Sequence, residues 1–410
     1  MCLVLIFFCA TDAVVHKFLA RSYRLSSAED VRHRSLSQLK SYQDTHQQGL
    51  DLIDADALKQ GIKLDRNQDT SYIYIANVSI GSPAQTFAME IDLWNIGDLC
   101  VIGSNFTISG TFYDPSRHRK QTYEQRNSST FTGLAGSFQN HFCGSGHSGA
   151  DLAKVDMRTA NVSMGIVDKL SLYIESEPID GILGLSPTSS FLSPNNLVTQ
   201  LLGNLEKPIM TWWQNQTDYV GTAQVTLGAE DTDNCQSNYV YAPQVDVDVK
   251  FSNWKVHIAS ASIEGKPDSE ASWSKHNFVA IHRIYQHFLS HRSIVRVHQC
   301  KRCSLRQHEE PLDCGLRFDK GKNVVFNIGG TGNMTDSSTK PLKLTGADYI
   351  KYYKYYDICY LSVYGSKYYT TVELPAQFMN NHCLAYNAKE KSIGFADAKW
   401  VNKDPKTYGK

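Results

Sequence analysis

The chain has 410 residues, enough for two sizeable lobes and a leader, and its Lys+Arg and Asp+Glu both total 41, for a net charge of +0. That balance gives no global attraction to nucleic acid or any other polyanion. Charged residues at 20% and aromatics at 11%, with 22 tyrosines, exclude a disordered chain and suit a β-rich globular body.

The apolar run from Leu3 to Ala10 has the length of a signal-peptide core and is too short to span a bilayer. Small residues at Thr11 and Ala13 supply a cleavage site, so residues 1–13 are read as a signal peptide despite the lack of a basic residue before the run. No later stretch approaches the roughly 18 apolar residues of a membrane helix. Of ten cysteines, Cys2 and Cys9 lie in this leader and eight lie beyond it. Six glycosylation sequons begin at Asn77, Asn105, Asn127, Asn161, Asn215 and Asn333. An even cysteine count, sequons and a leader together predict a protein secreted or held in the lumen of the secretory pathway.

Residues 14–69 are polar and rich in helix formers, with basic residues concentrated before Lys40; the composition predicts a partly helical leader with little core of its own. Strand alternation starts at Tyr72 and runs to Ile80, where Gly81-Ser82-Pro83 makes a turn, and a second strand follows through Phe87 to Ile91. Turn signals then recur about every ten residues through Gly228, the mark of an all-β body. A second β-rich stretch begins near Val245 and continues to Gly394-Phe395-Ala396 with no low-complexity linker before it. The expected organisation is a signal peptide (1–13), a leader (14–69), an N-terminal β lobe (70–245) and a C-terminal β lobe (246–410), the two lobes sharing an extensive interface.

His282 to Arg306 carries six Lys/Arg, four His and no acid. His287 and His291 stand one helical turn apart and Cys300 and Cys303 follow, a set of zinc-ligand types whose spacing matches no compact zinc module. A polyanion-binding stripe is the second reading, and a solvated helix face with disulfides the one preferred. Cys300-x-x-Cys303 lacks the surrounding βαβ pattern of a redox motif. No metal or cofactor is expected.

Tyr74 to Phe87 and Asp180 to Leu185 are the first of several segments that, in order, resemble the pepsin and cathepsin D type of aspartic peptidase. Tyr74 to Phe87 is similar to the family's opening strands, and Asp180-Gly181-Ile182-Leu183-Gly184-Leu185 matches a family segment without a change. Gln224 to Gly228 with Asp231 and Cys235 looks like the close of the first lobe; Val324 to Gly330 looks like a hairpin of the second. Cys383 to Asn387 and Ile393 to Ala396 fit the last strands. The resemblance covers about Tyr72 to Lys399 and implies a bilobal, all-β acid-protease fold with a cleft between the lobes. It also implies that residues 14–69 correspond to an inhibitory prosegment, whose Lys17, Arg21 and Arg24 are of the type that neutralises an acidic cleft. A monomer with a peptide or protein ligand in the cleft is expected.

Such an enzyme needs two aspartates. Carboxylates about 3 Å apart share one proton, so that one acts as base on a bound water while the other donates to the scissile carbonyl. By the resemblance, Met89-Glu90-Ile91-Asp92 is the approach to the first position, which places Asp92 on it; aligning from Asp98 and Leu99 instead puts Leu93 there. The Thr and Gly that follow in the family are here Leu93 and Trp94. Asn277 to Ile281 resembles the approach to the second position, where Arg283, or His282 with a slip of one residue, stands in place of aspartate. Arginine stays protonated and shares no proton. An ion pair between Asp92 and Arg283 or His282 is one expectation; a remodelled loop with both basic side chains in solvent is the other.

Phe138 to Gly149 resembles the hairpin that closes over substrate, with Phe142 in place of its usual Tyr and Cys143 as an extra residue. Eight cysteines permit 105 pairings; the resemblance implies Cys314–Cys359, with Cys235–Cys383 and a flap-fastening Cys100–Cys143 as further suggestions. The sequence therefore predicts a catalytically inactive, ligand-binding homologue, and alternatively an active aspartic endopeptidase working by water attack at acid pH.

Overall fold

The computed structural model describes residues 15–24, 72–93, 97–108, 119–155, 158–187, 192, 195–216, 221–245, 254–264, 266–272, 278–281, 287–290, 323–329, 338–345, 350–353, 358–361, 363–366, 371–374, 378–379 and 381–399. The first half contributes β1 (His16–Arg24), β2 (Tyr72–Ile80), β3 (Gln85–Asp92), β4 (Leu99–Thr107), β5 (Thr132–Asn140), β6 (Gly144–Val155), β7 (Arg158–Leu170), β8 (Gly181–Gly184), β9 (Ile209–Gln216), β10 (Gly221–Leu227) and β11 (Val240–Pro243). Among the described residues two short α-helices interrupt them, α1 (Leu172–Ser176) and α2 (Leu197–Leu202). The second half adds β12 (Lys255–Ile263), β13 (Lys266–Ser272), β14 (Phe278–Ile281), β15 (His287–Ser290), β16 (Val324–Ile328) and β17 (Lys340–Leu344). The remainder are β18 (Ile350–Tyr353), β19 (Ile358–Leu361), β20 (Val363–Ser366), β21 (Thr371–Leu374), β22 (His382–Asn387) and β23 (Ser392–Asp397).

Thirteen strands form one sheet in the order β11-β23-β22-β9-β10-β1-β2-β3-β8-β4-β7-β6-β5. A second sheet runs β17-β16-β12-β14-β21-β15-β20, with β13 beside β12. The last strands, β22 and β23, join the first sheet, where β22 pairs with β9 and β23 with β11. The main core accordingly takes side chains from both halves, Trp212 and Leu183 together with Trp254, Phe326 and Phe395. Among the described residues no helix is long and apolar enough to cross a membrane.

The segment Asp180 to Leu185 shows why its sequence is so specific. All four residues of β8 are buried, as a short strand flanked on both sides requires: β3 lies parallel on one edge and β4 antiparallel on the other. A Cβ at Gly181 would stand 2.2 Å from the Cys100 carbonyl oxygen, so only glycine fits. Asp180 accepts from the backbone N–H of Ala88 at 2.9 Å and of Gln121 at 2.8 Å, tying the entrance of β8 to β3.

Two segments are strands that their local sequence did not announce. His16–Arg24, within the leader expected to be partly helical, is a strand lying between β10 and β2. Its Phe18 and Ala20 are buried while Leu19 is exposed, a period of two that the polar composition of the whole leader hides. His287–Ser290, expected within a solvated helix face, is a strand paired in parallel with β20 and bridged to β21. Pairing with distant strands overrides the local helical spacing of the histidines.

Candidate active site

β3 carries Asp92 as its last residue. Met89, Ile91 and Leu93 belong to the main core, so Glu90 and Asp92 alternate to the opposite face. Leu93 is thus committed to packing, whereas Asp92, only 2% exposed, ends the strand on the same face as Glu90. The loop after it is wired to β8 and α2 through the backbone. Leu185 N–H donates to the Asp92 carbonyl at 2.7 Å, Gly184 N–H to that of Asp98 at 3.0 Å, and Leu197 N–H to that of Gly97 at 2.7 Å. From the other half of the chain, the buried indole of Trp254 donates to the Leu93 carbonyl at 2.6 Å. The turn beside the acid is therefore clamped across the two halves.

The second half repeats this arrangement. β14 pairs antiparallel with β12 and parallel with β21, as β3 pairs antiparallel with β2 and parallel with β8. Asp92 lies opposite Gly184 at the end of one parallel pair, and Ile281 opposite Leu374 at the end of the other. His282 and Arg283, and Trp94 on the first side, lie outside the described residues.

Phe142 sits in the turn between β5 and β6 and is buried. Asn140 Oδ1 accepts from the N–H of Phe142 at 2.8 Å and of Cys143 at 3.2 Å. Ser171 at the start of α1 donates its hydroxyl to the Phe142 carbonyl and its N–H to the Cys143 carbonyl, the latter at 3.1 Å. Cys143 is joined to Cys100 on β4. Gly144, at φ +120°, leaves no room for a side chain, since a Cβ would stand 2.1 Å from the Lys169 carbonyl oxygen. The Phe142 ring meets Tyr173 edge-on with centroids 6.2 Å apart, and the Tyr173 hydroxyl donates to the Glu90 carboxylate. Glu90 was missed by sequence reasoning; its signal was an acid inside an apolar strand, two residues before Asp92 and on the same face.

Behind Tyr173, Lys120 closes the end of α1. Its Nζ donates to the carbonyls of Ile174 at 2.6 Å, Glu177 at 2.5 Å and Ile179 at 3.0 Å. Burial pulls the ammonium down to about 8 from 10.5, against the raising pull of Asp180, Glu177 and Glu175. The folded protein therefore binds fewer protons than the unfolded chain between about pH 8 and 10.5, and stability rises with pH across that window. Lys120→Met orphans three carbonyls and is expected to cost about 2–4 kcal/mol at pH 7. Urea denaturation should show the gap to wild type widening at pH 10, because only the wild type gains there.

The other sequence-predicted residues fall as follows. Cys235 pairs with Cys383, while Cys314 and the Cys359 side chain lie outside the described residues. Asn77, Asn105, Asn127 and Asn161 are exposed, Asn215 is half-buried with its amide oxygen buried, and Asn333 is outside the described residues. Lys17 forms an ion pair with Asp233 on the surface turn after β10, away from Asp92; the side chains of Arg21 and Arg24 are not among those described. Zinc-ligand candidates His291, Cys300 and Cys303 are also outside the described residues, among which no group of metal-binding side chains occurs. A groove of about 490 Å³ opens between the ends of β4, β5, β6 and β7, lined by Asn105, Ser137, Asp168 and Lys169; neither Asp92 nor Phe142 borders it.

Comparison with known proteins agrees with this architecture. The chain is similar to aspartic protease 6 of Caenorhabditis elegans, 28% identical over 195 residues, covering 43% of this chain and 47% of that protein. It is 26% identical to aspartic protease 17 of the same organism over 187 residues, covering 42% and 46%. Syncephapepsin of Syncephalastrum racemosum is 25% identical over 205 residues, covering 46% and 47%. Each match thus spans about half the length of the curated relative. The family model of eukaryotic aspartyl proteases matches residues 73–398, most of the chain from β2 to the end of β23, and with its all-β, bilobal pepsin-like fold this protein belongs to that family.

Proposed function

We propose that this protein is a secreted pepsin-like homologue without peptidase activity, which binds a peptide or protein ligand in the cleft between lobes 70–245 and 246–410. One observation carries the reading: the sequence holds no aspartate between Asp268 and Asp313, and His282-Arg283 stand where the strand of the second half would deliver the second acid. A guanidinium beside Asp92 takes no part in proton sharing, and one carboxylate alone has no partner to hand its proton to. Leu93 and Trp94 in place of Thr and Gly alter the first turn, and Phe142 removes the hydroxyl from the lid. The Cys100–Cys143 bridge and the Asn140 and Ser171 hydrogen bonds fasten that lid, which supports a protein no longer under demand to open and close around substrate.

A second reading, an active endopeptidase, draws on Glu90, a buried acid on the same face of β3 as Asp92. Residues two apart on a strand are separated by roughly 6.6 Å, against the roughly 3 Å of a proton-sharing pair, and Glu90 already accepts from Tyr173. The test is to incubate the full-length protein at acid pH with peptides from an unfolded protein and identify by mass spectrometry what it retains. Retention of uncleaved peptides by the wild type, weakened in Phe142→Ala, supports the ligand-binding reading. Recovery of newly cut peptides supports the second, and no retention at all refutes the ligand.

A further inference from the structure

The groove between β4, β5, β6 and β7 lies apart from Asp92 and Phe142, and the sheet builds it by breaking register. β4 meets β7 at Ile102↔Val167 and again at Thr107↔Lys169, so β4 advances five residues while β7 advances two. β6 meets β7 at Ser145↔Lys169 and Gly146↔Val167, which leaves Asp168 as the extra residue. β5 slips against β6 between Gly133 and Ser137. Such bulges bend a strand and re-aim its side chains. The resulting space of about 490 Å³ falls within the roughly 300–1,000 Å³ of small-molecule sites. Its lining includes Asn105 and Thr107 of β4, Ser137, Phe138 and Gln139 of β5, and Lys169 of β7. Asp168 in the same wall is held in place: His147 Nδ1 lies 2.9 Å from its carboxylate, and its carbonyl accepts from the Thr107 hydroxyl at 3.1 Å.

Asn105 and Thr107 are the acceptor and hydroxyl residues of one glycosylation sequon, and both are exposed. None of Asn77, Asn127, Asn161 and Asn215 borders the groove. We propose that the groove seats the first sugars of a glycan on Asn105, an inference that rests on the secreted reading above but not on the state of the dyad. Attachment joins the Asn105 amide nitrogen to the sugar's anomeric carbon; the nitrogen loses a proton and the lipid diphosphate of the donor leaves. A sugar tethered at the rim has an effective concentration in the groove that a free ligand does not match. Its hydroxyl and acetamide groups donate and accept, as Ser137 and Gln139 do, Lys169 donates, and Phe138 offers an apolar patch to the C–H face of the ring. Seated there, the glycan touches β5 and β6 and braces the hairpin that carries Phe142.

The test expresses the full chain in a secreting animal cell line and follows each sequon by peptide mass spectrometry during digestion with peptide N-glycosidase. Relative to the denatured chain, native protein should release the Asn105 glycan about tenfold more slowly than those on Asn77 and Asn161, the factor that roughly 1.4 kcal/mol of contact provides. Gln139→Ala, an exposed change, should speed release at Asn105 alone. Asn105→Gln should raise hydrogen exchange at residues 137–139 and 145–146, and Asn161→Gln should not. Equal native release from all three sequons would overturn the proposal, as a glycan projecting into solvent. An empty Asn105 beside occupied Asn77 and Asn161 would overturn it while leaving the secreted reading intact. Empty sequons throughout would overturn both.

Discussion

Asp151→Ala is expected to destabilise the protein by about 3–5 kcal/mol, measured by urea denaturation at pH 7. The carboxylate is fully buried on β6, where it accepts from the Tyr123 hydroxyl at 2.6 Å, the Thr130 hydroxyl at 2.5 Å and the Leu152 N–H at 2.8 Å. Burial alone would raise its pKa, but hydrogen bonds from Thr130, Tyr123, Ser128 and Leu152 outweigh that and hold it below the usual carboxylate value. Burial also pushes the Tyr123 phenol up, so it stays a donor at any working pH. Truncation leaves these donors facing one another without an acceptor. The group's contribution is full above the ordinary carboxylate pKa and is lost as pH falls through the depressed folded value, so the gap between wild type and variant should narrow in strong acid. The consequence reaches the site. Gly81, at φ +87°, packs so closely that a Cβ would lie 2.7 Å from Ser128 Oγ and 3.1 Å from Asp151 Oδ2, and its N–H donates to the Leu152 carbonyl at 2.8 Å. This network therefore fixes the β2–β3 corner from which β3 runs to Asp92.

The second large effect is expected from the double variant Cys100→Ser, Cys143→Ser. The bridge closes a sequence separation of 43 residues, for which the chain-entropy estimate is about 4 kcal/mol. Both cysteines are buried, so the loss adds to two hydroxyls placed among Ile73, Phe138 and Val167. Hydrogen exchange should rise at the amides of residues 138–146 more than in β8. On the proposed reading the second acid, and not the fastened lid, limits the chemistry, so releasing the lid should leave proteolysis absent. Appearance of cleavage in the double variant would locate the block in the lid instead.

Much of the scaffold was legible because its signals are local. Tyr72–Ile80 alternates within itself and ends on Gly81-Ser82-Pro83, and the strand boundaries follow. Asp180 to Leu185 carries its own hydrogen-bonding aspartate and, in Gly181, a glycine at a close approach. The illegible parts rest on partners far along the chain. β1 has only Phe18 and Ala20 as buried described side chains, and its identity as a strand comes from β10, some 200 residues away. The indole of Trp254 reaches the Leu93 carbonyl across 161 positions, and no spacing rule announces it. Tyr173 finds Glu90 across 83 positions, so a buried acid that composition counts as surface charge sits behind the ring that Phe142 packs on. Lys120 misleads in the same way, as a lysine that caps three carbonyls rather than facing water.

The claim of a preserved fold around a dismantled dyad is tested most directly by assaying the purified full-length protein on an unfolded protein between about pH 3 and 6, beside Asp92→Ala. A transition-state-mimicking peptide inhibitor serves as the control for aspartic chemistry. The account predicts no inhibitor-sensitive cleavage by either protein. Cleavage by the wild type that the inhibitor blocks and Asp92→Ala abolishes would contradict it.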